Sequence, residues 1–258
     1  MADFREAFQT QVTAIGRHAP GVAVDADPEV LHKLRVAIRR LRALLQAARP
    51  FLADESSESL RAELRELGNS VGPARDADVF LAYLRDANLD GDGDQEALAQ
   101  VVTRVEDVRR ETYAAARAAL DAPAFARLME ELGAFSSSVV VRDASKSELI
   151  DPEARKLRKA VRDLTTNDGL HRARIKAKRV RYAAEAAGVK GVVTRAKKLQ
   201  DVLGEHQDAV VAEERLRELS EPATALVIGR LIERQEARRA SALADVPKAW
   251  RKLDKAIA

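Results

Sequence analysis

His32-x-x-Arg35-x-x-x-Arg39-x-x-Arg42 sets one histidine and three guanidinium groups three or four residues apart. On a helix that spacing stacks side chains on one face. A row of this kind is suited to gripping a multiply charged oxyanion. Arginine presents a planar fork to two oxygens at once, lysine a point charge, and an imidazole an N–H donor. The row returns as His171, Arg174, Lys178 and Arg181. At about 100° per residue each set of four falls within an arc of about 80°. Leu34, Ile38, Leu41 and Leu45 lie beside the first row, and Ala173, Ala177, Val180 and Ala184 beside the second. Each cationic stripe therefore borders a stripe made for burial, and faces a groove or a neighbouring helix.

A basic helix is usually no more than a solvated face. Two features argue otherwise. Between His32 and Arg49 there are six Lys or Arg and no acid, although like charges one turn apart cost about 0.2–0.5 kcal/mol per pair. Elsewhere the chain mixes its charges, as in RVEDVRRE (104–111). Residues 31–49 carry +6 and residues 155–200 carry +12, so with +3 overall the remainder carries −15. An acidic body with two basic inserts implies an anionic partner that supplies the neutralising charge.

Other chemistry is harder to assemble. Glu29-x-x-His32 and Asp168-x-x-His171 have the spacing of carboxylate-bridged di-metal bundles. The following turns carry only cations, which oppose a divalent ion, and the two acids suit the first turn of a helix. There is no Gly-rich phosphate loop, no Ser-His-Asp arrangement and no alternating Glu-x-Glu strand, and His206-Gln207-Asp208 lacks the adjacent His-Asp pair of metal phosphohydrolases. The sequence calls for no cofactor and no metal, and reads as a binding protein rather than an enzyme. Asp76 and Asp208 are expected to orient basic side chains, and His18 to be structural.

The elements that must position these residues are helical almost throughout. Helices are expected at about 2–18, 28–49, 55–72, 74–86, 94–119, 122–138, 149–166, 169–187, 189–204, 206–219 and 222–257, the last broken near Val246-Pro247. Asp27-Pro28 reads as an N-cap followed by proline at the first helical position. Gly188 and NLDGDGDQ (88–95) are breaks. Only the valines of SSSVVVRDASKSE (136–148) suggest a strand. Abundant Ala, Leu, Arg and Glu with 4% aromatic residues suit an all-α fold. There is no cysteine, hence no thiolate nucleophile. No apolar run approaches the ~20 residues of a membrane span. A soluble cytoplasmic protein without a membrane partner is expected.

The rows belong to a longer repeat. LHKLRVAIRRLRA (31–43) lies over LHRARIKAKRVRY (170–182) at an offset of 139. LGNSVGPARDADV (67–79) lies over LQDVLGEHQDAVV (199–211) at 132, and a longer first-copy loop around ARPFLADESSE absorbs the difference. This is a tandem duplication, with repeats at 1–140 and 145–258.

These four segments together resemble the CHAD domain, the conserved histidine α-helical domain, over about residues 4–255. The resemblance implies two pseudo-symmetric, four-helix-type antiparallel bundles with a basic groove or channel between them, all within a single domain over 1–258. It implies binding of inorganic polyphosphate and association with polyphosphate granules and granule proteins. The N-terminal triphosphatase domain of some members is not expected here. Carried over by position, the polyphosphate contacts are His32, Arg35, Arg39, Arg42, His171, Arg174, Lys178 and Arg181. Arg40 and Arg179 are additional contacts, Arg65 and Lys197 extend the surface, and Arg61 and Lys198 lie beside them. Arg75-Asp76 becomes Gln207-Asp208 in the second copy, so the halves need not bind equally. Nucleic acid is the alternative ligand, as a weak electrostatic competitor.

Overall fold

The computed structural model describes residues 2–24, 27–52, 56–89, 91, 93–140, 142 and 145–257. The fold is all-α. Its helices are α1 (Ala2–Val24), α2 (Pro28–Ala48), α3 (Ser56–Arg85), α4 (Asp94–Asp121), α5 (Pro123–Ser138), α6 (Lys146–Ala160), α7 (Asn167–Ala186), α8 (Lys190–Glu218) and α9 (Ala225–Asp254). A 3-10 turn, Arg49–Phe51, follows α2. No strand occurs among the described residues. Val139 and Val140 lie beyond the end of α5, and residue 141 is outside the described residues.

Local sequence explains where the site helices start and stop. The Asp27 carboxylate accepts from the Glu29 N–H at 2.8 Å, with Pro28 in the first turn of α2. Thr166 caps α7 by accepting from the Gly169 N–H at 3.0 Å. Gly188, with φ +67°, closes the turn after α7 in a conformation that side chains avoid. Ser145 and Glu148 form a reciprocal capping box at the start of α6.

Several expected boundaries are corrected. α3 passes through Gly72-Pro73 and α8 through Gly204 without interruption, where two helices each were expected. Pro73 offers no N–H to the carbonyl of Asn69. That turn is bridged from outside: Arg35 Nη1 donates to the Gly72 carbonyl at 2.5 Å and to Asp76 Oδ1 at 2.6 Å. α9 continues through Pro247, an exposed position. α1 runs on to Val24, and α6 stops at Ala160 rather than 166.

The chain divides into two compact units. Met1–Asp86 with Val102–Asp143 form one, and Ala87–Val101 with Ala144–Ala258 the other. In the first, α1 packs on α2 and α5, and α3 on α2 and α5. Its core includes Phe8, Ile15, Leu31, Leu34, Ile38, Leu41, Leu45, Leu64 and Leu132, all essentially without solvent contact. In the second, α6, α7, α8 and α9 pack successively, and Arg158 of α6 ties to Asp254 near the end of α9 at 2.9 Å. Burial fixes the roll of α2 and α7. Turning α2 enough to hide its arginines would expose Leu34, Ile38, Leu41 and Leu45, at about 2 kcal/mol each.

Candidate functional site

Within the first unit, Arg35, Arg39 and Arg42 project from α2 along its border with α3. Arg35 lies across Gly72, where a β-carbon would stand 3.9 Å from its Cζ. One turn back on α3, a β-carbon at Gly68 would stand 3.8 Å from Arg42 Nη1. Each guanidinium thus lies close against α3, at the distance of ordinary van der Waals contact with a β-carbon at these glycines. Asp76 fixes Arg35 from its acidic side, an ion pair at 2.6 Å. Arg39 and Arg42 have no ion pair or hydrogen bond among the described residues, and the Nε–H of Arg42 is buried without an acceptor.

The cations of this face are crowded. Burial, and then Arg61 and Arg65 of α3, push the Arg42 guanidinium below its ordinary pKa. His32 is also held below its ordinary value of 6.5, by burial first and then by Arg75, with Arg39 and Arg35 adding to it and Glu29 opposing. Arg65 is exposed and paired with Glu66 at 3.1 Å, and Arg61 is paired with Glu58 at 2.7 Å. Arg40 is exposed on the neighbouring flank of α2.

The second unit repeats the construction on α7 and α8. Arg174 lies across Gly204, where a β-carbon would stand 3.4 Å from its Nε. That Nε–H is buried without an acceptor, like its counterpart in Arg42. Arg181 stacks 4.7 Å above the Tyr182 ring and pairs with Glu185 at 3.3 Å. Lys178 is half-buried. Lys197 is exposed and paired with Asp201 at 2.6 Å. Arg179 lies nearer the α6 side: with burial, its charge and that of Lys156 depress the ammonium of Lys176, while Glu153 opposes them.

The two halves differ at one position that the sequence singled out. Arg75 presses on His32 in the first unit. Gln207 takes its place in the second, with Oε1 3.0 Å from Nδ1 of His171. An amide oxygen accepts and an amide nitrogen donates, so which ring nitrogen of His171 holds the proton follows the orientation of the Gln207 amide. Both nitrogens donate when the ring is an imidazolium.

Not every stripe cation lacks an acid. Asp76 reaches Arg35 from another helix, Glu29 lies 3.6 Å from Lys33, and Asp163 pairs with Arg172. A count confined to residues 31–49 misses these contacts. Sequence reasoning also passed over Asp78. This buried carboxylate of α3 accepts from Arg109 Nε at 2.7 Å and from the Tyr113 hydroxyl at 2.8 Å. Val210 stands at the corresponding place in the second repeat, so comparing the repeats gives no sign of it. No cluster of three or more metal-ligating side chains occurs among the described residues, and none of their helices is long and apolar enough to cross a membrane.

A family model described as the CHAD domain matches residues 6–217. The chain is 33% identical, over 260 aligned positions, to the uncharacterized protein MT2285 of Mycobacterium tuberculosis (strain CDC 1551 / Oshkosh). It is 32% identical to the uncharacterized protein Rv2226 of strain ATCC 25618 / H37Rv. Each match covers 91% of this chain and 50% of the relative, so the chain spans about half the length of these curated relatives. The crystal structure of the CHAD domain from the plant Ricinus communis aligns with a TM-score of 0.79 and 28% identity, covering 97% of this chain and 90% of that one. PptA from Streptomyces chartreusis aligns with a TM-score of 0.79 over 96% of this chain and 98% of that one, and at 21% identity this likeness concerns the fold.

Proposed function

The chain belongs to the CHAD domain family, and from that premise we propose that it binds inorganic polyphosphate, without turning it over, through the basic faces of α2–α3 and α7–α8. One observation carries this reading. The same cationic row is built twice, each time with a guanidinium laid across a glycine of the next helix. Polyphosphate is a flexible polyanion with nothing to read but charge and spacing. Arginine forks grip two oxygens of a phosphate, and lysines add point charges along the track. Such a protein would gather at polyphosphate granules.

Two rival readings fit the faces less well. Single-stranded nucleic acid is usually held by exposed rings on which bases stack. Tyr182, the aromatic residue of the rows, is buried beneath Arg181. Phosphoryl transfer usually needs a metal held by carboxylates. Asp76 and Glu185, two of the acids beside the rows, are each paired with an arginine.

His32 gives a test through pH. The depressed pKa of His32 means that the free fold prefers its neutral ring. Its contribution to stability is complete above about 6.5 and is lost as pH falls through the lower folded value. A bound phosphate reverses that preference, because it favours the imidazolium. Affinity for long-chain polyphosphate should therefore rise as pH falls from 8 to 6, with net proton uptake in calorimetry. His32→Gln should reduce that uptake. Absence of polyphosphate binding across this range would overturn the proposal.

A further inference from the structure

The second unit carries another cationic cleft, on the other side of α8 from the row described above. It is an open cleft of about 740 Å³ between the first turns of α8 and the last turns of α9. Arg195, Lys198, Lys252 and Lys255 line it, and no acid does. Thr194 and Ala249 also line it. We propose that this cleft is a separate site for a compact phosphate anion bearing three or more negative charges.

The charges themselves carry the argument. Elsewhere on these two helices Lys197 pairs with Asp201, Arg217 and Arg239 with Glu213, Arg238 with Glu205, and Arg230 with Asp94, whereas Lys190, Lys248 and Arg251 have no ion pair among the described residues. The four cleft cations have no ion pair among the described residues. The nearest acids in sequence are already engaged, Asp201 by Lys197 and Asp254 by Arg158. Helix dipoles do not account for the cluster. They favour cations at the end of α9, which accounts for Lys252 and Lys255, but their pull fades within one turn and does not reach Arg195 or Lys198 in α8. Arg195 stands there nonetheless, bent back so that its Nη1 donates to the Gly191 carbonyl at 2.8 Å. A β-carbon at Gly191 would lie 3.1 Å from that nitrogen, so the glycine leaves room for the bend.

The ligand class follows from charge and size. Four cations call for a ligand of comparable opposite charge. A volume within the roughly 300–1,000 Å³ of small-molecule sites suits a compact ligand better than a polymer. Arg195 and Lys198 fall within the family match and Lys252 and Lys255 beyond its end at residue 217.

The test is an amide-resolved NMR titration of the full chain with tripolyphosphate. It is run on the wild type and on Arg195→Glu/Lys252→Glu, with long-chain polyphosphate binding measured on both. We expect saturable shifts in residues 194–198 and 249–256 of the wild type. In the double variant the affinity read from them should fall at least tenfold, while long-chain binding at the α2 and α7 rows persists. Shifts confined to the rows, equal affinity in the variant, or cleft shifts given by long chains and not by tripolyphosphate would each overturn the inference. Loss of long-chain binding on changing the rows bears on the function proposed above and leaves this site untouched.

Discussion

Replacing Arg39, Arg42, Arg174 and Lys178 together by glutamine lowers affinity for long-chain polyphosphate by at least ~100-fold near physiological salt, about 2.7 kcal/mol. Glutamine keeps a polar chain and removes the charge. Arg39, Arg42 and Arg174 have no acid partner among the described residues, so their replacement strands no carboxylate. The fold should survive, with an unchanged helical circular dichroism spectrum. Each phosphate contact to a flexible polyanion releases counter-ions worth about 0.7 in the slope of log affinity against log salt. Four lost contacts should flatten that slope by about 3. Changing only the α2 pair or only the α7 pair should cost about tenfold, since each face keeps its neighbours. A quadruple variant that binds within threefold of the wild type would show that the rows are not the site.

The second large effect is on stability. Asp78→Ala should destabilise the chain by about 3 kcal/mol, the lower end for removing one partner of a buried pair. The Asp78 side chain is 1% exposed and meets Arg109 and Tyr113, with the guanidinium 4.4 Å over the tyrosine ring. Burial, together with the bond to Asp78, raises the Tyr113 hydroxyl above its ordinary value, so it stays a neutral donor. Without the carboxylate, a half-buried cation and a buried hydroxyl lose their acceptor together. Asp78→Asn keeps an acceptor for one of them and should cost less. Urea denaturation followed by circular dichroism measures both variants. A loss under 0.5 kcal/mol for Asp78→Ala would contradict this account of the α3–α4 contact.

The rows on α2 and α7 were legible because three constraints agree there. The cationic spacing, the adjoining apolar stripe and the repeat at 139 all point to the same faces. The capped starts at Asp27 and Thr166 needed only local rules. What lay beyond the sequence depended on partner helices. Gly72-Pro73 looks like a stop signal, yet α3 continues through it, and Arg35, thirty-seven residues away, donates to the Gly72 carbonyl in that turn. The recurrence of Gly72 and Gly204 was visible, but their role as seats for Arg35 and Arg174 appears only when α2 meets α3 and α7 meets α8. Asp76 was expected to orient a basic side chain, and it holds Arg35. The same contact qualifies the opening count of unneutralised charge, because an ion pair between helices leaves no trace in a local window. The α8–α9 cleft escaped notice for a similar reason: its cations come from segments more than fifty residues apart.

The most direct test of the central claim is a competition titration. Labelled long-chain polyphosphate is bound to the wild-type chain at about physiological salt, and single-stranded RNA or double-stranded DNA is added as competitor at equal phosphate concentration. The account predicts saturable binding that nucleic acid displaces only in large excess, because the faces offer forks for phosphate and no exposed ring for bases. Displacement by RNA and DNA at equal phosphate would contradict it, and would identify the rows as a general electrostatic surface.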